Sequence, residues 1–271
     1  MPQQSFEKHK EKKSQLTNLL GEFSSAAIAF SAGVDSTFLA AMAREVLPEK
    51  LLLITVSSAL FPAEELESSI KLAADLDLPQ MIIELDVLNI EGFSKNTSER
   101  CYFCKKQLFT EILKAAGKNG FKTVLEGTNS DDLQDYRPGR KALFELGICS
   151  PLAEVGLSKK EIRFLSIDMK LETSDKPSMA CLASRIAYGE EITVEKLRKI
   201  EESERKLRIL GLKQCRVRCH GDIARIEVAG EEMEYAWRCR SELLQICKEA
   251  GFIYVSLDLH GYRTGAMNEI L

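Results

Sequence analysis

A short run of small and hydroxyl-bearing residues lies between an apolar, strand-like segment and a helical pattern. It consists of Ser31, Ala32, Gly33, Val34, Asp35 and Ser36. Small residues let a backbone approach a polyanion closely, and the N–H groups at a helix N-terminus point at such a ligand. Ser31 and Ser36 add hydroxyl donors, and we expect Asp35 beside the anion, near magnesium. The run has neither the Gly-Lys-Ser/Thr of a Walker loop nor a GxGxxG pattern. We therefore predict a phosphate loop of another class at residues 31–36.

Three of the 8 cysteines stand where a metal site is expected. Cys101 and Cys104 are three residues apart in a predicted first helical turn, so their thiols share one face. The helix N-terminus and the lysines that follow favour thiolate, the form that binds metal. Cys181 lies in a loop with no packing pattern. Three thiolates suit a 4Fe-4S cluster with one open iron, whereas Cys149 as a fourth ligand suits zinc, and spacing alone does not separate the two.

The other four cysteines fit no ligand spacing. We expect them to be unliganded core residues: Cys215, Cys219, Cys239 and Cys247.

Basic residues alternate along a predicted strand in the last third of the chain. Arg216, Arg218 and His220 therefore point to one side of that strand. Arginine forks match carboxylates and phosphates with paired hydrogen bonds, which favours a pocket for an anionic substrate. Glu227 and Arg185 are further candidates for the same pocket. The alternative is an ordinary strand face exposed to solvent.

Alternating strands and helices must position these groups. The patterns predict strands at 26–30, 51–56, 81–87 and 123–126, with helices at 34–46 and 63–76 and another that begins near Cys101. Such alternation indicates an α/β fold with a doubly wound parallel sheet, in which ligands gather beyond the carboxyl ends of the strands. Gly127, Thr128 and Asp131 follow the fourth strand, so this segment could reach the crevice and bind magnesium. Alone, it is also a common Asp/Asn turn.

A second, smaller α+β domain is expected to follow. Residues 174–191 are rich in Ser, Pro, Gly and Ala, which indicates a functional loop that leads into a linker. We predict domains at residues 1–188 and 189–271. The second has a helix at 194–210, strands at 214–220 and 223–229, a helix at 232–250 and a strand at 252–259.

Composition narrows the classes of partner. The 271 residues carry a net charge of −4, which argues against a protein that coats nucleic acid. No apolar run approaches the length of about 20 residues that a membrane span needs, and the lysine-rich start lacks the apolar core of a secretory signal. We expect a cytoplasmic protein with reduced thiols.

The phosphate loop resembles the PP-loop signature Ser-Gly-Gly-x-Asp-Ser of the ATP pyrophosphatases, with Ala32 where glycine is usual. These HUP-like enzymes adenylylate thiolation and amidation substrates and hold the β- and γ-phosphates that leave as pyrophosphate. The resemblance implies that ATP binds with Mg²⁺ at this loop. It also implies that the end of the second strand, at Val56 and Ser57, lies beside the adenine.

Six segments together are similar to the LarE family of ATP-dependent sulfur transferases. They are residues 31–36, 100–106, 126–139, 176–185, 216–227 and 257–268. The resemblance implies that a carboxylate of a pyridinium dicarboxylate mononucleotide is adenylylated and converted to a thiocarboxylate, with release of AMP and pyrophosphate. The product becomes the nickel-pincer cofactor of lactate racemase. Family members form hexamers, so a homo-oligomer is expected.

The family has two variants that differ in their sulfur source. One sacrifices the sulfur of a single cysteine, which corresponds to Cys181, and the other passes on a sulfide bound to a 4Fe-4S cluster. Cys101 and Cys104 beside Cys181 resemble the second variant, which requires an external sulfide donor. We therefore expect Cys181, Asp35 and Arg185 to be catalytic.

Two other classes of function are compatible with these motifs. A tRNA thiouridine synthetase would use the same loop but bind RNA through its C-terminal part, which the acidic balance disfavours. A nucleotide-sensing or zinc-stabilised binding module would not release pyrophosphate at all.

Overall fold

The computed structural model of the protein describes residues 2–133, 138–177, 180–263 and 265–269. Its α-helices are α1 (Pro2–Gly21), α2 (Val34–Val46), α3 (Ala63–Asp75), α4 (Arg100–Lys118), α5 (Gly139–Glu145), α6 (Pro151–Glu154), α7 (Lys159–Asp168), α8 (Val194–Ile209), α9 (Met233–Arg238) and α10 (Arg240–Glu249). Its β-strands are β1 (Ala26–Ala29), β2 (Leu51–Ser57), β3 (Gln80–Glu84), β4 (Val124–Leu125), β5 (Cys215–His220), β6 (Ile223–Val228) and β7 (Tyr254–Leu257). Within the described residues, none of the helices is long and apolar enough to span a membrane.

The first four strands form one parallel sheet in the order β3-β2-β1-β4. Ala26 pairs with Leu51 and Ala27 with Val124, so β1 lies inside the sheet between β2 and β4. Helices follow the strands, as parallel connections require. The prediction of an α/β fold with a parallel sheet is confirmed, and the arrangement is compatible with a Rossmann- or HUP-like fold.

Apolar side chains pack on both faces of this sheet. Alternate residues of a strand point to opposite faces, and Ile28 accordingly joins a core cluster with α2 and α7, whereas Ala27 joins one with α4. Burial on both faces explains why β1 and the first four residues of β2, Leu51 to Ile54, are continuously apolar rather than alternating.

The second sheet has three strands in the order β5-β6-β7 and is mixed. An antiparallel hairpin turns at Gly221, whose φ of 56° lies in the left-handed region that glycine adopts freely, and joins β5 to β6. β7 then pairs parallel to β6 after α9 and α10. The prediction of a smaller α+β domain is confirmed in this form. The single helix predicted at 232–250 is instead two helices, because the backbone at Cys239 leaves the helical conformation.

The chain folds into two compact units. The first comprises Met1–Ser58, Ala63–Leu85 and Cys101–Met179, and the second comprises Ala59–Pro62, Asp86–Arg100 and Ala180–Leu271. The sequence suggests one boundary, after residue 188, whereas this packing begins the last segment at Ala180 and adds two earlier pieces to it.

Hydrogen bonds explain why residues 86–100 belong to the second unit. Asn96 is fully buried there, and its side-chain amide donates to the carbonyl of Ala187 at 2.7 Å. The backbone of Asn96 in turn accepts from the N–H of Gly189 at 3.1 Å. Such long-range contacts cannot be inferred from local patterns.

The central position of β1 yields a stability prediction. Replacing the fully buried Ile28 with alanine should lower the free energy of unfolding by about 2–5 kcal/mol, because it removes buried methyl groups and leaves a cavity. Ile167 on α7 is 58% exposed, so Ile167→Ala is the matched control and should change stability by less than about 0.5 kcal/mol. Urea denaturation of both variants tests this, and equal destabilisation would contradict the buried position of β1.

Candidate active site

The phosphate loop joins the end of β1 to the start of α2. Gly33 is the N-cap residue of α2, and no side chain caps the helix there. Because the first N–H groups of a helix need partners from outside it, this end can bind an anion. The hydroxyls of Ser31 and Ser36 lie 3.1 Å apart. The loop therefore combines backbone and hydroxyl donors of the kind that a phosphate chain needs.

Ala32 occupies the position at which the PP-loop signature has glycine. Its φ of 54° lies in the left-handed region, and the residue is fully buried. For an L-residue this conformation costs roughly 1–2 kcal/mol, a cost that glycine avoids. The loop thus keeps the glycine-like conformation despite the methyl group.

Gly127 allows β4 to end against the phosphate loop. A Cβ atom at residue 127 would lie 3.1 Å from the backbone nitrogen of Ser36 and 3.2 Å from the Cβ of Asp35. A side chain there would push the two segments apart. This close approach brings the turn after β4, which begins with Thr128, to the carboxyl end of the sheet.

Asp35 is a carboxyl group of the first unit whose pKa is raised above its ordinary value. Burial raises its pKa, and the Lys159 ammonium, 2.5 Å from Oδ2, partly opposes that effect. The charge of Asp132 raises the pKa further. The Oδ1 atom is buried without a hydrogen-bond partner of regular geometry among the described residues. An unsatisfied buried oxygen beside a second carboxylate is the ligand set that Mg²⁺ prefers when phosphates complete its shell.

The two aspartates of the turn after β4, Asp131 and Asp132, make different interactions. Asp131 accepts a hydrogen bond from the backbone N–H of Lys159 at 2.9 Å, so it holds the start of α7. Asn129 Oδ1 accepts from the N–H groups of Asp131 and Asp132, which fixes the turn. The charge of Asp132, the next residue, acts on Asp35 and raises its pKa.

Val56 and Ser57 lie at the carboxyl end of β2, where the resemblance expects adenine contacts. Both are half-buried, and they extend beyond Ile54, which pairs with the last residue of β1. Thr128 is buried and donates to the carboxylate of Glu126 at 2.8 Å. The described geometry thus brings Val56, Ser57 and Gly127 to the same end of the sheet as the phosphate loop.

Lys159 lies at the phosphate loop, although no sequence motif indicates it as a site residue. It is the first residue of α7, directly after Ser158, whose side chain forms a capping box with Glu161. The Ser-x-x-Glu spacing is visible in the sequence and predicts this helix start. The partner of Lys159 is Asp35, 124 residues earlier, and no local pattern could have indicated it.

Cys101 and Cys104 lie on the first turn of α4, as predicted. Cys101 is exposed and Cys104 is partly exposed. The nearby Lys106 contacts Glu145 at 3.1 Å and the hydroxyl of Tyr102 at 2.7 Å. Two accessible thiols at this spacing fit two thiolate positions of a metal cluster.

The other two candidate ligands are Cys149 and Cys181. Cys149 is a weaker candidate, because burial and, next, the charge of Glu154 raise its pKa and disfavour thiolate. Cys181 belongs to the second unit, is partly exposed and caps a short 3-10 helix at Leu182–Arg185. Among the described residues, no group of three or more His, Cys, Asp or Glu side chains is arranged to hold a metal ion.

Three of the cysteines expected in the core are buried there. Burial raises the pKa of Cys215 to about 12, and that of both Cys219 and Cys247 to about 11. These thiols stay protonated at neutral pH. Cys239 is only partly exposed and lies between α9 and α10.

The basic strand β5 is buried on both faces. The alternative, an ordinary strand face exposed to solvent, is therefore excluded. Arg216 and Arg218 are 4% and 6% exposed. Arg218 donates to Glu227 at 2.6 Å, and its Nε is buried with no hydrogen-bond partner among the described residues. The Arg216 guanidinium lies 5.2 Å from the ring centre of Tyr262. A buried guanidinium with an unused donor is a group to which an anion can bind.

His220 is the last residue of β5 and differs in charge from the arginines of this strand. Arg225 Nε donates to His220 Nε2 at 3.2 Å. Burial and, next, the charge of Arg225 lower the pKa of His220, so the imidazole is neutral at pH 7. Arg225 also contacts Glu227 and Asp258. The pocket predicted from Arg216, Arg218 and His220 therefore draws its positive charge from its arginines alone.

Arg185 is fully buried and bound to protein groups. Its Nε and Nη2 donate to the two oxygens of Glu204 at 3.0 and 3.2 Å. Its Nη1 donates to the carbonyls of Ala180 and Cys181, the latter at 2.9 Å. Glu204 also accepts from the backbone N–H of Val217 at 3.0 Å. The backbone beside Cys181 is thereby fixed to α8 and β5.

Relatives of known sequence cover nearly the whole chain. No family model matches it. An uncharacterized protein of Synechocystis is 42% identical over 264 residues, which are 95% of this chain and 98% of the relative. An uncharacterized protein of Methanocaldococcus jannaschii is 34% identical over 237 residues, 88% of this chain and 90% of the relative.

A third relative has a named activity. The pyridinium-3,5-bisthiocarboxylic acid mononucleotide synthase of Lactiplantibacillus plantarum is 34% identical over 265 residues, which cover 96% of this chain and 95% of that enzyme. Identity at this level over both full lengths leaves no large segment of either chain without a counterpart. The protein therefore belongs to the LarE family, that of the pyridinium-3,5-bisthiocarboxylic acid mononucleotide synthase.

Proposed function

We propose that this protein is an ATP-dependent sulfur transferase that converts a carboxylate of a pyridinium dicarboxylate mononucleotide into a thiocarboxylate, in biosynthesis of the nickel-pincer cofactor. The observation that carries the ATP dependence is the partly buried Asp35 carboxylate beside the N-terminus of α2, which no side chain caps. The buried Oδ1 atom of Asp35 has no hydrogen bond of regular geometry among the described residues. The name of the relative from Lactiplantibacillus plantarum supports the substrate class.

Adenylylation is the first step of the proposed reaction. The phosphate loop binds the β- and γ-phosphates of ATP, and Asp35 with Asp132 would hold Mg²⁺, which would neutralise charge on these phosphates. The substrate carboxylate attacks the α-phosphorus, and the bond to the bridging oxygen breaks, so pyrophosphate leaves. Lys159, which contacts Asp35 in the structure, would supply a further cation to the phosphates. The product is an acyl-adenylate, from which AMP is a good leaving group.

Substrate binding is assigned to the buried arginines of the second unit. Arg216 and Arg218 pair with the phosphate or free carboxylate of the mononucleotide, because their forks fit such groups. Glu227 holds Arg218 in place at 2.6 Å. His220, as a neutral imidazole, offers a hydrogen bond rather than a charge.

Sulfur enters in the second step. A 4Fe-4S cluster held by Cys101, Cys104 and Cys181, when bound, supplies a sulfide as the nucleophile for the activated carboxyl carbon. The accessible thiols of Cys101 and Cys104 fit this role by their spacing and donor type. Arg185 acts by fixing the backbone of Cys181 rather than by contacting the substrate, since Glu204 and two carbonyls engage its guanidinium.

The role of Asp35 gives the first functional prediction. Asp35→Asn should slow pyrophosphate release from ATP and the mononucleotide by about 100-fold or more, because a metal-binding charge is lost at the leaving group. Asp77→Asn is the matched control and should retain wild-type rates, since the Asp77 side chain is 91% exposed. Formation of ADP and orthophosphate by the wild-type enzyme would reject the proposed reaction.

A second prediction concerns the sulfur source. Anaerobically prepared protein should contain about four irons per chain, and Cys101→Ala should lose both the iron and multiple-turnover sulfur transfer. Cys239→Ser, which changes a partly exposed cysteine outside the proposed ligand set, should keep both. Iron and sulfide assays with mass spectrometry measure this. Conversion of Cys181 to dehydroalanine in an iron-free protein would establish the sacrificial route instead.

The arginine pocket gives a third prediction. Arg218→Lys keeps the charge but loses the paired donors, so the KM for the mononucleotide should rise by about 10-fold while the KM for ATP stays constant. Arg198→Lys on α8 is the control, because the Arg198 side chain is 63% exposed. Steady-state kinetics with each substrate varied separately provide the measurement. An equal rise in both KM values would count against a substrate pocket at β5.

A further inference from the structure

Lys176 contacts the phosphate loop from a part of the chain remote in sequence. Its ammonium donates to the carbonyl of Ala32 at 3.0 Å and to the hydroxyl of Ser68 at 3.1 Å. The contacted carbonyl belongs to the residue with the left-handed backbone, directly before the N-cap Gly33. The lysine therefore binds the strained part of the phosphate loop.

The geometry of a peptide bond gives this contact a consequence. In a planar trans peptide the C=O and the N–H point in opposite directions. A lysine that holds the Ala32 carbonyl on one side thus keeps the Gly33 N–H directed to the other. Lys176 in this way sets the direction of a backbone donor in the segment that binds phosphate.

The backbone of Lys176 is itself anchored. Arg163 on α7 donates to the carbonyls of Ser174 and Lys176, the latter at 2.7 Å. The same helix begins with Lys159, which pairs with Asp35. One helix therefore supports two ammonium groups at the phosphate loop, one against the carboxylate and one against the backbone.

The environment of Lys176 strengthens its contacts. The side chain is half-buried, and burial lowers its pKa, with the charge of Glu65 opposing that effect. A hydrogen bond from a partly desolvated ammonium is stronger than one in water. Two of its three N–H donors are used by Ala32 and Ser68.

We propose that Lys176 is a positioning residue for nucleotide binding, which preorganises the Ala32–Gly33 peptide for the triphosphate. This inference rests on the proposed function, in which the phosphate loop binds ATP. It assigns to Lys176 an effect on ATP affinity and none on recognition of the mononucleotide.

Direct binding to the full-length protein tests the assignment. Lys176→Met should weaken binding of a non-hydrolysable ATP analogue about 10-fold or more in isothermal titration, because a charged hydrogen bond to the loop is lost. The KM for the mononucleotide should not change. Lys160→Met removes the same charge from an exposed position on α7 and should bind the analogue normally. Lys176→Arg keeps charge and donors and should restore most of the affinity.

A double-mutant cycle separates positioning from a simple effect of charge. Glycine adopts the left-handed conformation freely, so Ala32→Gly reduces the need for the lysine to hold that peptide. The loss caused by Lys176→Met should therefore be several-fold smaller in the Ala32→Gly background than in the wild type. An equal loss in both backgrounds would overturn the positioning role.

The failures of the two proposals are distinguishable. Wild-type protein that does not bind the analogue would refute the proposed ATP dependence itself. Wild-type binding together with unchanged affinity in folded Lys176→Met would refute only the role of Lys176. Should Lys176→Met not fold, as judged by thermal melting, Lys176→Gln, which is polar but uncharged, decides the matter in the wild-type and Ala32→Gly backgrounds. Weak binding by folded Lys176→Gln in the wild type that Ala32→Gly restores supports the role, and any other result refutes it.

Discussion

The burial of a charged carboxylate at the mouth of the phosphate loop is the constraint on which the first unit depends. An isolated Asp35 would lose its charge on desolvation, so the fold must supply a cation, and Lys159 at the start of α7 does so. Several unrelated features serve that pairing. Gly127 lets β4 end close enough to bring in the turn that holds α7, and the capping box at Ser158 fixes where the helix begins.

In the second unit the buried charges are positive, and carboxylates compensate them. Without a ligand, the buried arginines need carboxylate partners for the unit to remain folded. Full neutralisation, however, would leave no positive charge to which an anion could bind. The buried Arg185, Arg216 and Arg218 and the half-buried Arg208 and Arg225 lie near three carboxylates, those of Glu204, Glu227 and Asp258. Buried ion pairs contribute little net stability after desolvation, and the retention of this network supports the proposed anion site at β5.

The sequence predicted what depends on neighbouring residues. The apolar run of β1, the limits of α2 and the alternation along β5 all follow from local periodicity, and the structure contains them. Contacts between distant segments lay beyond such reasoning. Asp35 and Lys159, or Arg185 and Glu204, are joined only by the folded chain, and the left-handed backbone at Ala32 contradicts its residue type. The break between α9 and α10 at Cys239 contains neither Gly nor Pro, the residues that usually indicate a helix end.

The interleaved composition of the second unit has a consequence for biosynthesis. Residues 86–100 belong to that unit, but its main segment begins 80 residues after Arg100, at Ala180. At roughly 5–20 residues per second, a ribosome needs on the order of ten seconds to bridge this interval. Throughout that time the side-chain N–H donors of Asn96 lack their acceptors, since the carbonyls of Ile186 and Ala187 have not been translated. The second unit therefore cannot complete its packing until the segment that begins at Ala180 has been synthesised.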